Sequence, residues 1–306
     1  MVKIGLVGCG RWGRHILRDL KALGCWVAVV EPDAVNQAEA NTVGADLVIA
    51  SLDQLPAVTG CVVAVPTLLH HAVLLQLLGR ACPIFCEKPL TADLAQAQQL
   101  VDLAGERIFV MEKWRYHAGV LALRDLAQGA RLGPVLGLKT TRLQWGSTHR
   151  DVDTSWILLP HDLSIAFEIL GYLPQPRHAV IESDQGGLLG LSAFLSGPAW
   201  LQCEIGIRSP AYQRRIELRC RDGIAVLADA YDTHLKVLHT DPAARSGAAP
   251  AWEIQPFAAN NPLLCELEAF VAYLTGEAAP PKSTAREALN IVQTITTLHQ
   301  LAQQYS

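Results

Sequence analysis

The chain opens with Lys3-Ile4-Gly5-Leu6-Val7-Gly8-Cys9-Gly10-Arg11-Trp12-Gly13, an apolar run that leads into three closely spaced glycines. The apolar run is typical of a buried strand, and the apolar residues between positions 16 and 23 recur at the spacing of a helix face. A second apolar run starts at Cys25 and ends at Glu31. The order strand, glycine loop, helix, strand predicts a βαβ unit that binds a nucleotide.

Each glycine of this loop has a predicted physical role. Gly8 permits the tight turn, Gly10 lets the backbone approach a pyrophosphate, and Gly13 lets the helix pack closely on the strand. The phosphates would lie at the helix N-terminus, where free N–H groups and the dipole favour anions. The two residues between the second and third glycines, Arg11 and Trp12, either contact the cofactor or only shape the loop.

Glu31 predicts which dinucleotide is bound. An acidic side chain at the end of the second strand can accept hydrogen bonds from the adenosine ribose hydroxyls and would repel a 2′-phosphate, so NAD is favoured over NADP. The alternative is a glycine-rich turn without a ligand. The surrounding strand, helix and acidic residue favour dinucleotide binding.

Composition narrows the class of protein. The chain has 306 residues, 50% of them hydrophobic, and a net charge of −4, which predicts about two domains and argues against nucleic acid as a partner. We expect no membrane span and no signal peptide, and hence a cytoplasmic protein. The eight cysteines are scattered without zinc spacing, so we expect no metal.

Strand and helix patterns alternate through the first third of the chain, which predicts a doubly wound parallel sheet. The predicted strands are 45–50, 60–65, 84–86 and 108–110, and the predicted helices are 36–44, 69–78, 92–104 and 120–126. Ligands of such sheets bind beyond the carboxyl ends of the strands. The cofactor side of the sheet is therefore predicted to include Pro66, Thr67 and His70. His70 either lines the site or caps a helix.

Glu87-Lys88-Pro89 follows directly after the strand 84–86 and is the most informative triplet. Pro89 lacks a backbone donor and disfavours helical geometry at the preceding residue, so Lys88 is held at the strand tip. Thr91 is the predicted N-cap of the next helix. Lys88 could be a surface lysine paired with an acid, but a charged pair at this edge of the sheet favours a functional role.

These motifs resemble the glucose-fructose oxidoreductase, inositol dehydrogenase and rhizopine-catabolism (Gfo/Idh/MocA) oxidoreductases. The matching segments, in family order, are Gly8–Gly13, Glu31, Val65–His70, Phe85–Leu90 and Pro160-His161-Asp162. The resemblance implies an N-terminal Rossmann domain and a second, α+β domain with a large, mostly antiparallel open sheet. It also implies hydride transfer to or from a sugar or cyclitol carbon, and a cis bond before Pro89.

We place the NAD-binding domain at 1–118 and the substrate-binding and oligomerisation domain at 119–306, with a C-terminal helix that packs back on the first. The second domain's predicted strands are 135–145, 177–183, 188–195, 200–207, 215–220, 224–227, 234–238 and 252–254, and its closing helices are 262–275 and 285–305. Adjacent strands without intervening helices predict an antiparallel sheet. A small-residue loop is predicted at 241–250.

Several residues of the second half are candidates for substrate contact. Arg115 or Tyr116 either meets the substrate or simply flanks a helix. The polar loop 146–155 contains Arg150 and Asp153, which either bind substrate hydroxyls or face solvent. Trp156, which follows this loop, is a further candidate.

His161 is the second candidate catalytic residue. Pro160 predicts a helix start close to it, which would place His161 in the first turn, where the helix dipole favours a neutral imidazole able to accept a proton. Asp162 would then stabilise the same first turn.

The chain departs from the family pattern at Ile157. Many members carry an aspartate four residues before the histidine, completing a Lys, Asp, His set. Here Lys88 and His161 are left to transfer the proton, helped by Asp153 or another carboxylate.

Three functions follow from the resemblance. The first is an NAD-dependent oxidoreductase of a sugar, nucleotide sugar or cyclitol. The second is a weak or inactive NAD- and sugar-binding sensor, and the third is a redox-neutral glycosidase that uses NAD. We expect the open sheet to pair with another subunit, giving a homodimer or homotetramer.

Overall fold

The computed structural model describes residues 1–129, 131–147, 151–240 and 251–304. The chain divides into two compact units. The first contains Met1–Lys113 and Asn261–Val292, and the second contains Trp114–Asn260 and Gln293–Ser306. Each unit is built on one β-sheet.

The first unit contains a six-stranded sheet in the order β3-β2-β1-β4-β5-β6, and all of its strand pairs are parallel. Its strands are β1 Lys3–Val7, β2 Trp26–Val30, β3 Leu47–Ile49, β4 Gly60–Val63, β5 Ile84–Glu87 and β6 Ile108–Met111. Most of these residues are buried because helices cover both faces of a doubly wound sheet. The predicted doubly wound fold is confirmed.

Four helices connect these strands: α1 Arg11–Ala22, α2 Ala34–Val43, α3 Thr67–Leu78 and α4 Leu94–Ala104. The predicted N-cap at Thr91 is wrong. Asp93 caps α4 by accepting a hydrogen bond from the Gln96 N–H at 2.8 Å, and the Thr91 hydroxyl donates to the Asp93 carbonyl at 2.6 Å. Asp and Thr are both good caps, and the helix starts after the later of the two.

The second unit contains an eight-stranded sheet in the order β14-β13-β12-β11-β7-β10-β9-β8. Helix α5 Ala118–Gln128 precedes the sheet, and helix α6 Thr154–Leu170 follows its first strand. The pair β7 and β10 is parallel and the other pairs are antiparallel, which confirms the mostly antiparallel sheet. The strands are β7 Val135–Trp145, β8 Gln175–Asp184, β9 Gly187–Ser196, β10 Trp200–Gly206, β11 Arg208–Cys220, β12 Gly223–Leu227, β13 His234–His239 and β14 Glu253–Pro256.

Helix α6 begins earlier than the sequence predicts. Asp153 caps it, and Pro160 lies inside the helix rather than at its first position. The residues before the proline, Trp156–Leu159, are all buried. Burial of this apolar run stabilises the helix on both sides of Pro160 despite the lost backbone hydrogen bond.

Two helices close the chain. Asn261 caps α7 Pro262–Leu274, and Thr284 and Glu287 form the predicted capping box before α8 Ala285–Gln303. The predicted end of α8 at Tyr305 and the predicted loop 241–250 lie outside the described residues. In the part of the chain that the structure describes, no helix has the length and apolar composition needed to cross a bilayer.

Candidate functional site

The glycine loop after β1 has the geometry of a phosphate cradle. Gly8 has φ +89°, and a Cβ on Gly13 would lie 2.4 Å from the Gly8 carbonyl oxygen, so neither position accepts a side chain without displacement. Gly10 is the N-cap of α1, and a Cβ there would meet nothing within 4 Å. Open space at a helix N-terminus, where the first N–H donors have no partner within the helix, fits the pyrophosphate of a dinucleotide.

Glu31 follows β2 directly and is fixed beside this loop. Its Oε2 accepts a hydrogen bond from the Cys9 N–H at 2.7 Å, and its Oε1 accepts one from the Asp33 N–H at 3.1 Å. The side chain is only 6% exposed. Since each carboxylate oxygen has two lone pairs, Glu31 can hold the loop and still accept hydrogen bonds from a ligand.

Glu87 connects the end of β5 to the first turn of α1. Its Oε1 accepts a hydrogen bond from the Trp12 indole N–H, and its Oε2 accepts one from the Lys88 N–H at 3.2 Å. The Lys113 Nζ lies 4.5 Å from the centroid of the Trp12 ring, as a cation over an aromatic face. Burial raises the pKa of Glu87, and the charge of Lys88 and the hydrogen bond from Trp12 oppose that rise. Arg11 and Trp12 are both exposed, Trp12 by 37%.

His70 bridges two loops at the same edge of the sheet. Its Nδ1 lies 2.8 Å from the Pro89 carbonyl and its Nε2 lies 3.0 Å from the Val65 carbonyl. The side chain is 1% exposed, and burial lowers its pKa. His70 thereby fixes the loop after Lys88 to the loop before α3, which starts at Thr67 with Pro66 as its N-cap. The bond between Lys88 and Pro89 is cis, as the resemblance implied.

In the second unit, two of the predicted substrate-binding residues lie at the start of α6. Asp153 accepts hydrogen bonds from the Ser155 N–H at 2.8 Å and from the Ser155 hydroxyl. The same hydroxyl lies 2.7 Å from the His299 Nε2, and the Trp156 ring meets the His299 ring edge-on. Asp153 therefore caps the helix, and Trp156 is buried.

His161 lies in the interior of α6, so its predicted place in a first turn is wrong. The early start of the helix puts Ile157 one turn before it, on the same face. Ile157 is 8% exposed, and its side chain is a hydrocarbon without a carboxylate. The dipole argument for a neutral His161 does not apply, because the dipole acts within the first or last turn.

The prediction that Asp162 stabilises a first turn is also wrong. Its carboxylate forms an ion pair with Arg142 on β7, with three N–O distances of 3.1–3.2 Å. Asp162 is 1% exposed and Arg142 3% exposed. The guanidinium carbon of Arg142 lies 4.6 Å from the centroid of the Trp114 ring. Asp162 therefore links α6 to the sheet.

The remaining substrate candidates have structural partners. Arg115 donates to the Glu168 carboxylate at 3.2 Å, and Arg124 donates to the other oxygen of the same group at 2.7 Å. For Tyr116 the contact is through the backbone, whose carbonyl accepts a hydrogen bond from the Asn260 side chain at 2.7 Å. Arg150 lies outside the described residues.

Three charged residues of the first unit, two acids and a lysine, were not predicted from the sequence as candidates for the site. Glu112 and Lys113 follow β6 at the same sheet edge as Glu87, and Glu266 lies on the buried face of α7. Glu112 and Lys113 could have been predicted, because charged residues directly after a buried parallel strand lie where ligands of such sheets bind. The signal for Glu266 was an acid within an apolar helical stripe.

Comparison with known proteins agrees with this geometry. Residues 2–111 match the model of the Gfo/Idh/MocA oxidoreductases, described as an oxidoreductase family with an NAD-binding Rossmann fold. The inositol 2-dehydrogenase of Streptomyces avermitilis is 30% identical over 262 residues, which cover 76% of this chain and 74% of that protein. The chain belongs to the Gfo/Idh/MocA family. It is an NAD-binding oxidoreductase, of the class of dehydrogenases that act on CH–OH groups.

Solved structures show the same fold over the full chain. An oxidoreductase from Agrobacterium radiobacter, in complex with NAD⁺, L-tartaric acid and magnesium, has a TM-score of 0.85 at 15% identity and covers 100% of this chain and 97% of its own. The UDP-N-acetylglucosamine 3-dehydrogenase of Acidithiobacillus ferrooxidans has a TM-score of 0.83 at 19% identity and covers 99% and 98%. Both of these proteins have the same fold as this Gfo/Idh/MocA protein.

Proposed function

We propose that this protein is an NAD-dependent dehydrogenase or reductase of a secondary carbinol or ketone carbon in a sugar, nucleotide sugar or cyclitol. The observation that supports it most is the edge of the first sheet, where the glycine cradle, Glu31 and the loop carrying Lys88 come together. The names of the relatives, an inositol and a nucleotide-sugar dehydrogenase, fit a polyhydroxylated substrate.

The residues that would hold the cofactor are those of the cradle and its neighbours. The loop from Gly8 to Gly13 would take the pyrophosphate, and Glu31 would take the ribose hydroxyls and disfavour the 2′-phosphate of NADP. Trp12 and Glu87 would shape the adjoining wall, next to Pro66 and Thr67. The nicotinamide supplies the hydride acceptor or donor when bound.

Lys88 and His161 are our candidates for proton transfer. An ammonium group at Lys88 can donate a hydrogen bond to the reacting oxygen and stabilise negative charge there as the C–H bond breaks or forms. His161 would accept the proton during oxidation and return it during reduction. General acid–base assistance of this kind contributes roughly 10²–10⁴-fold.

A substrate screen tests the assignment. Purified protein with NAD is mixed with free sugars, UDP-linked sugars and inositols, and absorbance of NADH is followed; the matching ketones are tested with NADH. We expect turnover with one of these classes, and affinity for NAD about tenfold or more above that for NADP because Glu31 repels the 2′-phosphate. Equal affinity for the two cofactors would contradict the role given to Glu31.

A second candidate function rests on Ile157. Ile157 is a buried apolar residue one turn before His161, where many members of the family carry an aspartate, and a binding module has no need of a complete proton-transfer set. NAD binding without turnover in either direction, over all three substrate classes, would favour this sensor and overturn the dehydrogenase.

We also propose that the protein forms a homodimer or homotetramer through the second sheet. Helix α6 packs on one face of that sheet. On strands β8, β9 and β14 the other face exposes Val180, Phe194 and Ile254, by 54%, 42% and 55%. Phe194 also stacks on Trp200. Val180 and Phe194 lie on neighbouring strands, whereas Ile254 lies on the opposite edge of the sheet. Apolar side chains exposed on one face of a sheet are typical of an interface.

Light scattering should show a mass at least twice the 33.2 kDa of one chain. Phe194→Glu should lower the mass to that of a monomer, because it places a charge beside the exposed Val180 and the Trp200 ring. Tyr231→Glu, at an exposed turn position, should leave the mass unchanged. A monomeric parent protein at micromolar concentration would contradict the proposal.

A further inference from the structure

Cys61 and Cys82 form a pair of thiols in contact within the first unit. Their Sγ atoms lie 3.7 Å apart, although the two residues are 21 positions apart in the sequence. Cys61 is fully buried on β4, and Cys82 is 7% exposed in the segment between α3 and β5. The Cys61 N–H donates to the Pro83 carbonyl at 3.0 Å and so fixes the backbone beside Cys82. A disulfide, with sulfur atoms about 2.05 Å apart, is therefore within reach of a short side-chain movement.

Two arginines supply positive charge to Cys82. Arg80 donates to three backbone carbonyl groups between positions 52 and 56, at 2.9–3.2 Å. Arg107 donates to the carbonyl groups of Leu78 and Arg80 at 3.2 and 3.0 Å. All of these acceptors are neutral, so the hydrogen bonds fix both guanidinium groups and leave their charges uncancelled. Nearby fixed cations favour the thiolate form of a cysteine.

The contact and the charges make the two thiols unequal. The hydrogen bond with Cys61 lowers the pKa of Cys82, burial opposes it, and the charges of Arg80 and Arg107 lower the pKa further. The same hydrogen bond, together with burial, raises the pKa of Cys61. Cys82 is thus the member of the pair that ionises first. Burial raises the pKa of five other thiols, namely Cys9, Cys25, Cys86, Cys203 and Cys220.

We propose that Cys61 and Cys82 are a peroxide-sensitive modification site, in which hydrogen peroxide oxidises Cys82 and Cys61 then closes a reversible disulfide. Cys82 reaches the surface enough for a small oxidant, whereas Cys61 is 0% exposed and meets only Cys82 in this pair. The inference goes beyond the proposed function and is independent of it, because oxidation of the thiols requires neither NAD nor a CH–OH substrate.

The reaction balances in two steps. The Cys82 thiolate attacks one oxygen of hydrogen peroxide, the O–O bond breaks, hydroxide leaves, and Cys82 becomes a sulfenic acid. The Cys61 sulfur then attacks the Cys82 sulfur, the S–O bond breaks, and the oxygen leaves as water with the proton of Cys61. The sulfur pair loses two electrons, and the peroxide becomes two water molecules once the hydroxide takes up a proton from solvent.

This site is separate from the candidate cofactor site. Cys61 lies near the amino end of β4, and Cys82 precedes the amino end of β5. The glycine cradle follows the carboxyl end of β1, and β1, β4 and β5 are parallel neighbours in the sheet. The thiol pair and the cradle therefore lie at opposite edges of the same sheet.

The first test uses the parent protein. It is treated with hydrogen peroxide at about pH 7.5, where a thiolate of lowered pKa is populated, remaining thiols are alkylated, and tryptic peptides are analysed by mass spectrometry. Cleavage after Arg80 puts the two cysteines in different peptides, so a disulfide joins them. We expect a bond between Cys61 and Cys82 that dithiothreitol removes, and the same bond in the control Cys25→Ser. A Cys82 sulfinic acid beside an unmodified Cys61, or no oxidation of either residue, would overturn the proposal.

The second test separates the roles of the two thiols. Cys61→Ser and Cys82→Ser are treated with peroxide in the presence of dimedone, a reagent that traps sulfenic acids. In Cys61→Ser the hydroxyl cannot close a disulfide, so Cys82 should be labelled. In Cys82→Ser the label on Cys61 should be at least about tenfold weaker, because that thiol is buried and protonated. Equal labelling in the two variants, or stronger labelling of Cys61, would overturn the proposal. The first test needs neither variant to fold.

Discussion

Replacing Lys88 by methionine is expected to lower kcat by a factor of about 10²–10⁴, the range of general acid–base assistance. Methionine keeps the length of the side chain but has no charge and no N–H donor for the reacting oxygen. The affinity for NAD should change little. Lys88 contacts Glu87 through its backbone N–H, at 3.2 Å, and the substitution leaves that hydrogen bond intact.

The measurement is a steady-state rate with the substrate found in the screen, together with the NAD dissociation constant. Lys3→Met, at an exposed lysine that begins β1 of the same unit, is the matched control and should behave as the parent. His161→Asn should lower kcat in the same direction, because asparagine cannot take up a proton near neutral pH. Rates within a few-fold of the parent for both Lys88→Met and His161→Asn would contradict the assignment.

Replacing Asp162 by asparagine should lower the free energy of unfolding of the second unit by about 3–5 kcal/mol. The substitution keeps the shape of the side chain and removes the charge that faces Arg142. Arg142 is 3% exposed, so its cation would stay in a buried site without an anion. Denaturant unfolding followed by tryptophan fluorescence measures the loss, since Trp114 lies against the Arg142 guanidinium.

Two controls make this result specific. Asp222→Asn, in the exposed pair with Arg221, should leave the unfolding midpoint unchanged because surface pairs contribute little. The double variant Arg142→Met with Asp162→Leu should recover much of the loss, because it leaves no buried charge unpaired. A loss in Asp162→Asn no larger than that in Asp222→Asn would show that the buried pair does not stabilise the fold.

Local patterns predicted most of the fold. The glycine spacing, the apolar strands and Glu31 predicted the first sheet, and β7 was predicted with the bounds that the structure shows. These features depend on neighbours along the chain, so the sequence carries them directly. The start of α6 was placed wrongly because a proline usually marks a first helical position, whereas here Asp153 caps the helix and burial holds Pro160 inside it.

Contacts between distant segments could not be predicted. The sequence predicts Asp162 as a first-turn acid, whereas in the fold it pairs with Arg142. The two carbonyl groups that His70 contacts are likewise evident only in the folded chain. Burial and the negative charge of Glu87 raise the pKa of Glu266, although Glu87 and Glu266 lie far apart in the sequence. A lone sequence shows which residues can ionise, but only the fold shows what each of them faces.

The strand order of the second sheet has a consequence for synthesis on the ribosome. Strand β7 is central, and both of its neighbours, β10 and β11, come from segments that are translated much later. During that interval both edges of an eleven-residue strand lack their native partners, and such edges can pair with other chains. Lys139 ends the apolar stretch at the start of β7, and Arg142 precedes Leu143. Charges at such positions oppose pairing with other chains. The charge of Arg142, which pairs with Asp162 in the folded chain, would thus also disfavour mispairing of the nascent strand.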